Sequence, residues 1–494
     1  YITDAENQNS SFFENFLNIV KSPNWNGILA LKVDINLAQF PAELKGLLAG
    51  IDLNQFNAHH FGIDVNYVTS TPTSIGATSK SSLFGLINYL DPAYVQQVLS
   101  GGDPDQPIGG QTTGVYDFKV LTLQVLFANS EIKTFSSRTQ LTVNQWFGDR
   151  VTQVTNDRGG VPSNSIMLNG SYENHNGIPT YTFNTIRDNK FWLNSNVLYN
   201  VEIIKAQFNT LTNQQGTESQ AVESRFILWG YFNYAALKEF DAFSFGSSSP
   251  PSPEKNETQV GLNFANLYID MDFDLSIPTL KTFTFNPAQI SFNIDGSTPR
   301  QHSLFHNFPL KFKNLVMGEA GKKPTEQGFL AINVQMETTK DGKTQVTPFP
   351  AKGLGDTWFG LEFELKLGTA GALAAEAGLT ANLLMAWSPL NLGQIPDDKA
   401  YNVFFGIKLP GAGGGQSKLL SLQGVLKLSI NDIVLIFLPE SQAYLLKFTN
   451  IALKFLSLKF PPGGNTLFML FGNPDPNAPN SSLGWYAAYN QEEN

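Results

Sequence analysis

Strict alternation of apolar and polar residues is the feature that most constrains the fold of this chain. The stretch Leu267–Ile277 reads LYIDMDFDLSI, with an apolar side chain at every second position and three aspartates among the residues between. A period of two places alternate side chains on opposite faces of a strand. We therefore predict one antiparallel strand here, with Met271 and Phe273 buried and the three aspartates exposed.

The same alternation recurs along most of the chain, in runs separated by Gly, Pro and Asn. One apolar and one polar face is typical of an antiparallel sheet that is solvated on one side. Many such runs predict an all-β, mainly antiparallel chain, with several sheets in a β-sandwich or barrel-like architecture. The clearest further runs are Ile28–Leu37, Val197–Ile203, Phe329–Glu337, Leu361–Leu367, Tyr401–Leu409 and Val425–Asn431.

Helical features are confined to the first 100 residues, so we predict a few short helices near the N-terminus. Ser11–Val20 has apolar residues at helical spacing, and Pro41–Gly50 suits one or two turns. Asp91 followed by Pro92 is a favourable start for a third helix. The Ala-rich segment Gly371–Trp387 instead follows a period of two, and we predict that it forms the second arm of a long hairpin.

Two stretches rich in Gly, Ser and Pro lack any periodicity and indicate loops or linkers. They are Gly101–Gly114 and Gly246–Gln259. We use them to predict the domain limits. The predicted segments are a mixed β segment with short helices over residues 1–110, a β domain over 111–246, a linker over 247–261 and a C-terminal β domain with the most apolar strands over 262–494.

Composition argues against several functional classes. The chain has no cysteine, which excludes disulfides, thiolate metal sites and a cysteine nucleophile. Its net charge of −10 argues against nucleic acid as a partner. No apolar run reaches the roughly 18–20 residues of a membrane-spanning helix. The sequence starts at Tyr1 without a leader, so we expect a processed chain or a segment of a larger protein, located outside the cell or on its surface.

Motifs for metals and cofactors are weak. Neighbouring aspartates on one strand face lie about 6.6–6.8 Å apart, too far for all three to ligate one small cation. Asp270, Asp272 and Asp274 are therefore only weak candidates for a surface cation site, and we expect Lys or Asn opposite them. His302 and His306 have helical spacing but lack the Glu of a zinc motif, so we predict no shared metal. We predict no catalytic residue and no cofactor.

The C-terminal third is the most apolar part of the chain. Ile433–Leu438 is a continuous apolar run, and the apolar residues lie at odd positions from Ile451 to Phe455 but at even positions from Leu456 to Phe460. We interpret this as strands covered on both faces, in preference to a β-bulge. A second sheet, a ligand or another subunit would supply the cover. The candidate partner or ligand surface residues are Ile433, Leu435, Phe437, Leu453, Phe455, Leu456 and Leu458.

Three functions stay open at this point. The favoured one is a non-enzymatic extracellular structural or assembly protein that associates with itself or with other protein subunits. The second is a binding module for an apolar, lipid-like ligand or for a saccharide. The third is a carbohydrate-active enzyme, which rests only on carboxylate pairs such as Glu362 and Glu364.

Overall fold

The structure is a computed structural model, and it describes most of the chain with gaps. The described residues are 23–24, 26–37, 40–64, 68–77, 83–109, 114–128, 131–156, 164–175, 178–211, 221–237, 240–254, 257–300, 303–308, 310–318, 322–366, 380–390, 400–408, 419–422, 426–429, 432–438, 443–449, 452–455, 458–460, 465–472 and 484–491.

Strands make up most of the described chain. The first half contains β1 (Gly27–Asp34), β2 (Asn57–Asp64), β3 (Val68–Thr71), β4 (Ser74–Ala77), β5 (Leu83–Leu90), β6 (Tyr116–Ala128), β7 (Glu131–Val143), β8 (Gln145–Trp146), β9 (Asp149–Asn156), β10 (Ser165–His175), β11 (Ile178–Thr185), β12 (Asn189–Leu193), β13 (Leu198–Leu211) and β14 (Ala221–Tyr234). The second half contains β15 (Leu262–Asp274), β16 (Lys281–Asn286), β17 (Ser291–Asn293), β18 (Leu310–Met317), β19 (Leu330–Ala331), β20 (Asn333–Lys340), β21 (Lys343–Pro348), β22 (Phe359–Lys366), β23 (Thr380–Trp387), β24 (Val403–Lys408), β25 (Leu419–Leu422), β26 (Leu426–Ser429), β27 (Asp432–Leu438), β28 (Ala443–Thr449), β29 (Ala452–Phe455), β30 (Leu458–Phe460), β31 (Asn465–Gly472) and β32 (Gly484–Gln491).

Helices are short. They are the α-helices α1 (Pro92–Leu99) and α2 (Leu304–Asn307) and the 3₁₀ helices η1 (Ala42–Gly50), η2 (Leu53–Gln55) and η3 (Pro324–Gln327). The predicted start of α1 is confirmed, because the Asp91 carboxylate accepts hydrogen bonds from the N–H groups of Ala93 and Tyr94. The helix predicted over Ser11–Val20 lies outside the described residues. Among the described helices, none is long and apolar enough for a membrane span.

Two large sheets form the first half of the fold. The N-terminal sheet has seven strands in the order β1-β2-β5-β6-β7-β10-β11, and the central sheet contains β16-β15-β14-β13-β12-β9-β8 with β17 beside β15. The two sheets pack face to face through aromatic rings. The Phe118 ring lies 5.1 Å from that of Phe208 and 5.3 Å from that of Phe226, measured between centroids.

Three smaller sheets and one hairpin complete the topology. The third sheet is β18-β22-β23-β24-β19, the C-terminal sheet is β21-β20-β27-β28-β31-β32, and the distal sheet is β25-β26-β29-β30. The separate hairpin is β3-β4. Among the described strand pairs, β20 and β27 are parallel and the others are antiparallel. The predicted all-β, mainly antiparallel, multi-sheet fold is thus confirmed.

One hydrophobic core connects these sheets. The buried ring of Phe147, at the turn between β8 and β9, lies 5.1–5.6 Å from the rings of Phe232, Phe285, Phe359 and Trp387, centroid to centroid. The strands on either side of the predicted linker, β14 and β15, pair directly along their length. The domain limits proposed from the sequence stay a prediction.

The strand predicted over Leu267–Ile277 is confirmed with its apolar face buried, but it ends before Ile277 and Asp270 is half-buried. Strand β15 ends at Asp274, and Met271 and Phe273 are both buried. Ile277, predicted to belong to the strand, is exposed in the turn that follows. The hairpin predicted for the Ala-rich segment is also confirmed where described, because β23 pairs with β22 and places Trp387 opposite Phe359.

A hairpin accounts for the change of apolar positions near Phe455, where we interpreted the sequence as strands covered on both faces, and that cover stays a prediction. Strands β29 and β30 pair antiparallel, with Leu453 opposite Phe460 and Phe455 opposite Leu458. Residues paired across an antiparallel ladder share a face. Odd positions in the first arm and even positions in the second therefore lie on a single face of the distal sheet.

Candidate functional site

Three of the predicted surface residues lie on the inner face of the C-terminal sheet. Ile433, Leu435 and Phe437 of β27 are 2%, 3% and 5% exposed and belong to the hydrophobic core. Their neighbours on β28 and β31 continue this core face, for example Leu446 opposite Leu435. The chain itself covers these side chains, and a contact with a partner stays a prediction.

The opposite face of the same sheet, which we call the outer face, is apolar on β27, β28 and β31, while Asn333 and Gln335 of β20 add polar side chains to it. Its large apolar side chains on the three strands are those of Val434, Ile436, Leu438, Leu445, Phe468 and Leu470. All but Val434 are half-buried, and none belongs to a hydrophobic core cluster of the described chain. Register aligns them across strands, with Ile436 opposite Leu445 and Leu445 opposite Leu470. Neighbouring apolar side chains that stay partly exposed to solvent on one face of a sheet are typical of an interaction surface.

The distal sheet brings together the predicted residues Leu453, Phe455 and Leu458, while Leu456 lies outside the described residues. Register forms two apolar rows across its four strands. The rows are Leu420, Leu428, Leu453 and Phe460, and Leu422, Leu426, Phe455 and Leu458.

A separate cavity of about 650 Å³ lies between helix α1 and the N-terminal sheet, and we call it the helix groove. Its wall on the helix side is aliphatic and consists of Leu90, Val95, Val98 and Leu99. Leu90 and Val98 are 40% and 36% exposed, and Leu99 is 77% exposed. The amphipathic helix therefore leaves part of its apolar stripe uncovered above the sheet.

The floor of the helix groove is polar and comes from β6, β7 and β10. Arg138 lies at its centre, opposite Thr122 on one side and Asn169 on the other. One terminal nitrogen of its guanidinium donates to the Tyr94 hydroxyl at 2.7 Å, and the other lies 3.0 Å from Asp105 Oδ1. The cavity therefore combines an aliphatic wall with one cationic side chain, that of Arg138, on its floor.

A second cavity, of about 470 Å³, is lined by aromatic rings and by Lys281. The Lys281 ammonium donates to the carbonyl oxygens of Ala49 and Phe118 at 3.0 and 2.8 Å and pairs with Asp117 at 3.2 Å. These contacts use all three of its donors. Burial lowers the pKa of Lys281. Its contacts link β16 of the central sheet to β6 of the N-terminal sheet, which is a structural role.

The three aspartates of β15, Asp270, Asp272 and Asp274, have different surroundings. Asp270 is half-buried, in contrast to the predicted exposure, because both its oxygens accept hydrogen bonds from Arg225 of β14, at 2.6 and 3.2 Å. Asn286 of β16 donates a third bond at 3.0 Å. An arginine in register with an aspartate offsets its charge, which allows the carboxylate to lose part of its hydration.

The other two aspartates are exposed, as predicted. Glu223 lies opposite Asp272, where Lys or Asn was expected, and burial followed by this neighbouring charge raises the pKa of Asp272. Hydrogen bonds from Ser276 lower the pKa of Asp274. Within the described ranges, no group of three acidic or histidine residues is arranged to hold a metal ion.

The remaining sequence candidates are the two histidines and the glutamate pair of β22. His302 is outside the described residues, and His306 falls in α2. Glu362 and Glu364 share a face of β22, and Glu362 pairs with Lys313 at 3.3 Å. Neither glutamate lines a cavity described above.

Sequence reasoning missed Arg138, and the candidate residues that it named on β27 all lie on the inner face. The alternation around Arg138 marks a strand, but only the packing of α1 above it shows a cavity. The continuous apolar run at Ile433–Leu438 was the signal for two apolar faces. No protein-family model, curated protein or solved structure matches the chain.

Proposed function

We propose that the chain is a non-enzymatic structural or assembly protein that self-associates through the outer face of its C-terminal sheet. The observation that carries this proposal is the row of half-buried apolar side chains on that face, exemplified by Ile436, Leu445 and Leu470. Apolar area left open to water favours association by about 25 cal/mol per Å² that becomes buried.

The composition of the face suits a second copy of the chain. The apolar side chains of β27, β28 and β31 are bordered by the polar residues Asn333 and Gln335 of β20. Interfaces between protein subunits have such an apolar centre and a polar rim.

The geometry of a flat sheet face also supports self-association. Two such faces can stack about 10 Å apart, as in a β-sandwich, and a two-fold axis makes the patch complementary to itself. The one lysine on the face, Lys447, is half-buried with its ammonium 5.8 Å from the centroid of the Phe468 ring. A long lysine stem can lie along an apolar interface while its charge reaches the edge.

Replacing Leu445 with lysine is expected to convert the assembly into monomers. The change places a charge at the centre of the outer face, where burying it without a partner costs several kcal/mol. Sedimentation velocity of the full chain measures the mass of the species. Leu470→Lys should act in the same way, and Ile277→Lys, at an exposed apolar position far from this face, should leave the assembly intact.

A monomeric wild-type chain at high concentration would contradict this proposal, as would an unchanged mass for folded Leu445→Lys and Leu470→Lys. The second candidate function is binding of a lipid-like apolar ligand on the same face. Flotation with phosphatidylcholine vesicles distinguishes the two, because a monomer that floats and loses this property in Leu445→Lys supports the lipid. A saccharide ligand and a carbohydrate-active enzyme are alternatives without a comparable geometric observation.

A further inference from the structure

We propose that the helix groove is a binding site for an alkyl-chain carboxylate, with its hydrocarbon chain along α1 and its carboxylate at Arg138. The site is independent of the outer face, because it lies on the N-terminal sheet. Its volume of about 650 Å³ falls within the range of about 300–1,000 Å³ that is usual for small-molecule sites.

The position of the ligand's hydrocarbon chain is inferred from the aliphatic residues that line one wall of the groove. Leu90, Val98 and Leu99 are exposed together on one side of the cavity, with Val95 beside them. Single exposed aliphatic residues are common on protein surfaces, but a cluster of them inside a concave site marks a place where an apolar group is bound. An alkyl chain along this wall removes apolar surface of both partners from water.

The carboxylate is assigned from Arg138. Its guanidinium has five N–H donors, and the contacts with Tyr94 and Asp105 engage two of them. The planar fork of an arginine matches a carboxylate in a two-point contact. The backbone N–H of Arg138 donates to the Thr122 hydroxyl at 3.0 Å, which holds the residue at a defined place on the floor.

The loop after α1 supplies a competitor for the ligand. Asp105 belongs to this loop, is partly exposed and neutralises Arg138 in the structure as it stands. The loop is tied to the helix, because Tyr94 donates through its hydroxyl to the Pro104 carbonyl at 2.8 Å and the Gln97 amide donates to the Gln106 carbonyl at 3.1 Å. A ligand carboxylate therefore displaces the Asp105 side chain and leaves the loop in place.

A saccharide fits this cavity less well. Sugar rings stack on the faces of aromatic side chains, and the one aromatic residue among those lining the groove is Tyr94, which is buried. The hydroxyl of Tyr94 already bonds to Pro104 and Arg138. The aliphatic wall offers a long hydrocarbon chain more contact area than it offers a ring of hydroxyl groups.

The test compares dodecanoate with dodecanol by isothermal titration calorimetry on the full chain, with both ligands below the concentrations at which they aggregate. The two ligands share the hydrocarbon chain and differ in the head group. We expect wild-type protein to bind dodecanoate about tenfold or more tightly than dodecanol, which is the effect of one charge-assisted contact. Absence of dodecanoate binding, or equal affinity for both ligands, would overturn the proposal.

Three variants separate the two parts of the site. Arg138→Gln should abolish the preference for dodecanoate and keep the binding of dodecanol. Asp105→Asn should raise the affinity for dodecanoate about two- to fivefold, because a partly exposed competitor is removed. Val98→Ser should weaken both ligands about three- to tenfold through loss of apolar contact.

Two controls keep the test specific. Ile277→Ser, in the turn after β15, and Leu445→Lys, on the outer face, should both leave the dodecanoate affinity unchanged. A loss of affinity in Leu445→Lys would place the ligand on the outer face and overturn the assignment to the groove. If Arg138→Gln does not fold, Asp105→Asn decides the matter, since an unchanged dodecanoate affinity in that variant contradicts a contact with Arg138.

Discussion

Replacing Arg300 with methionine is expected to lower the free energy of unfolding by about 3–5 kcal/mol, the usual cost of breaking a buried ion pair. Arg300 is 7% exposed, and its guanidinium lies 2.5 Å from Asp241 Oδ1. It also donates to the backbone carbonyls of Ser247, Phe245 and Tyr234. The substitution leaves a buried carboxylate without its cation and removes these donors, which is why the effect is large.

Urea denaturation of wild type and variant measures this difference. The matched control is Lys323→Met, because Lys323 and its partner Asp356 are 44% and 86% exposed. Exposed ion pairs contribute at most about 1 kcal/mol, so the control should lose little stability. Equal losses of unfolding free energy in the two variants would contradict the larger effect that we expect for the buried Arg300–Asp241 pair.

The wild-type protein is expected to lose stability as the pH rises from about 4 to about 7, and Asp149→Asn is expected to remove most of this loss. Burial raises the pKa of Asp149 to about 7, and hydrogen bonds from the Leu390 N–H and from Ser195 offset only part of the effect. Asp149 is 1% exposed at the end of the β8–β9 turn, and the Leu390 N–H donates to its Oδ1 at 2.9 Å.

The sign follows from proton binding. Between the unfolded pKa near 4 and the folded pKa near 7, the folded state holds a proton that the unfolded state releases, so rising pH favours unfolding. A difference of about three pKa units corresponds to about 4 kcal/mol. Asparagine stays neutral at every pH and still offers an oxygen to the Leu390 N–H.

Urea midpoints measured from pH 4 to pH 9 test this prediction. The wild-type midpoint should fall through this range while that of Asp149→Asn stays nearly level. Asp274→Asn is the control, because hydrogen bonds from Ser276 lower the pKa of Asp274 and its titration contributes the opposite trend. A slope in Asp149→Asn equal to that of the wild type would contradict the assignment.

Local patterns in the sequence were sufficient for the elements and their two faces. The alternation around Met271 and Phe273 correctly predicted a strand and the burial of both residues. Asp91 followed by Pro92 correctly predicted where α1 begins. These features depend on neighbours a few positions away, because backbone periodicity and helix capping are local properties of the chain.

Pairing between distant residues was decided by the tertiary structure. Arg225 is opposite Asp270 although 45 positions separate them, and Glu223 is opposite Asp272 where a lysine or asparagine was expected. The partner of a charged residue depends on the register between strands, which is set by the packing of whole sheets. The same reason hides the Arg300–Asp241 pair from any local pattern.

The unbroken apolar run of β27 predicts two apolar faces, but it does not show which of the two faces the rest of the chain covers. Ile433 lies in the core and Ile436 on the outer face, yet both belong to one unbroken apolar run. Likewise, the apolar residues of α1 form one side of a cavity only because the sheet that carries Arg138 lies beneath the helix. A period of two defines two faces of a strand, but what each face meets depends on contacts between segments far apart in the chain.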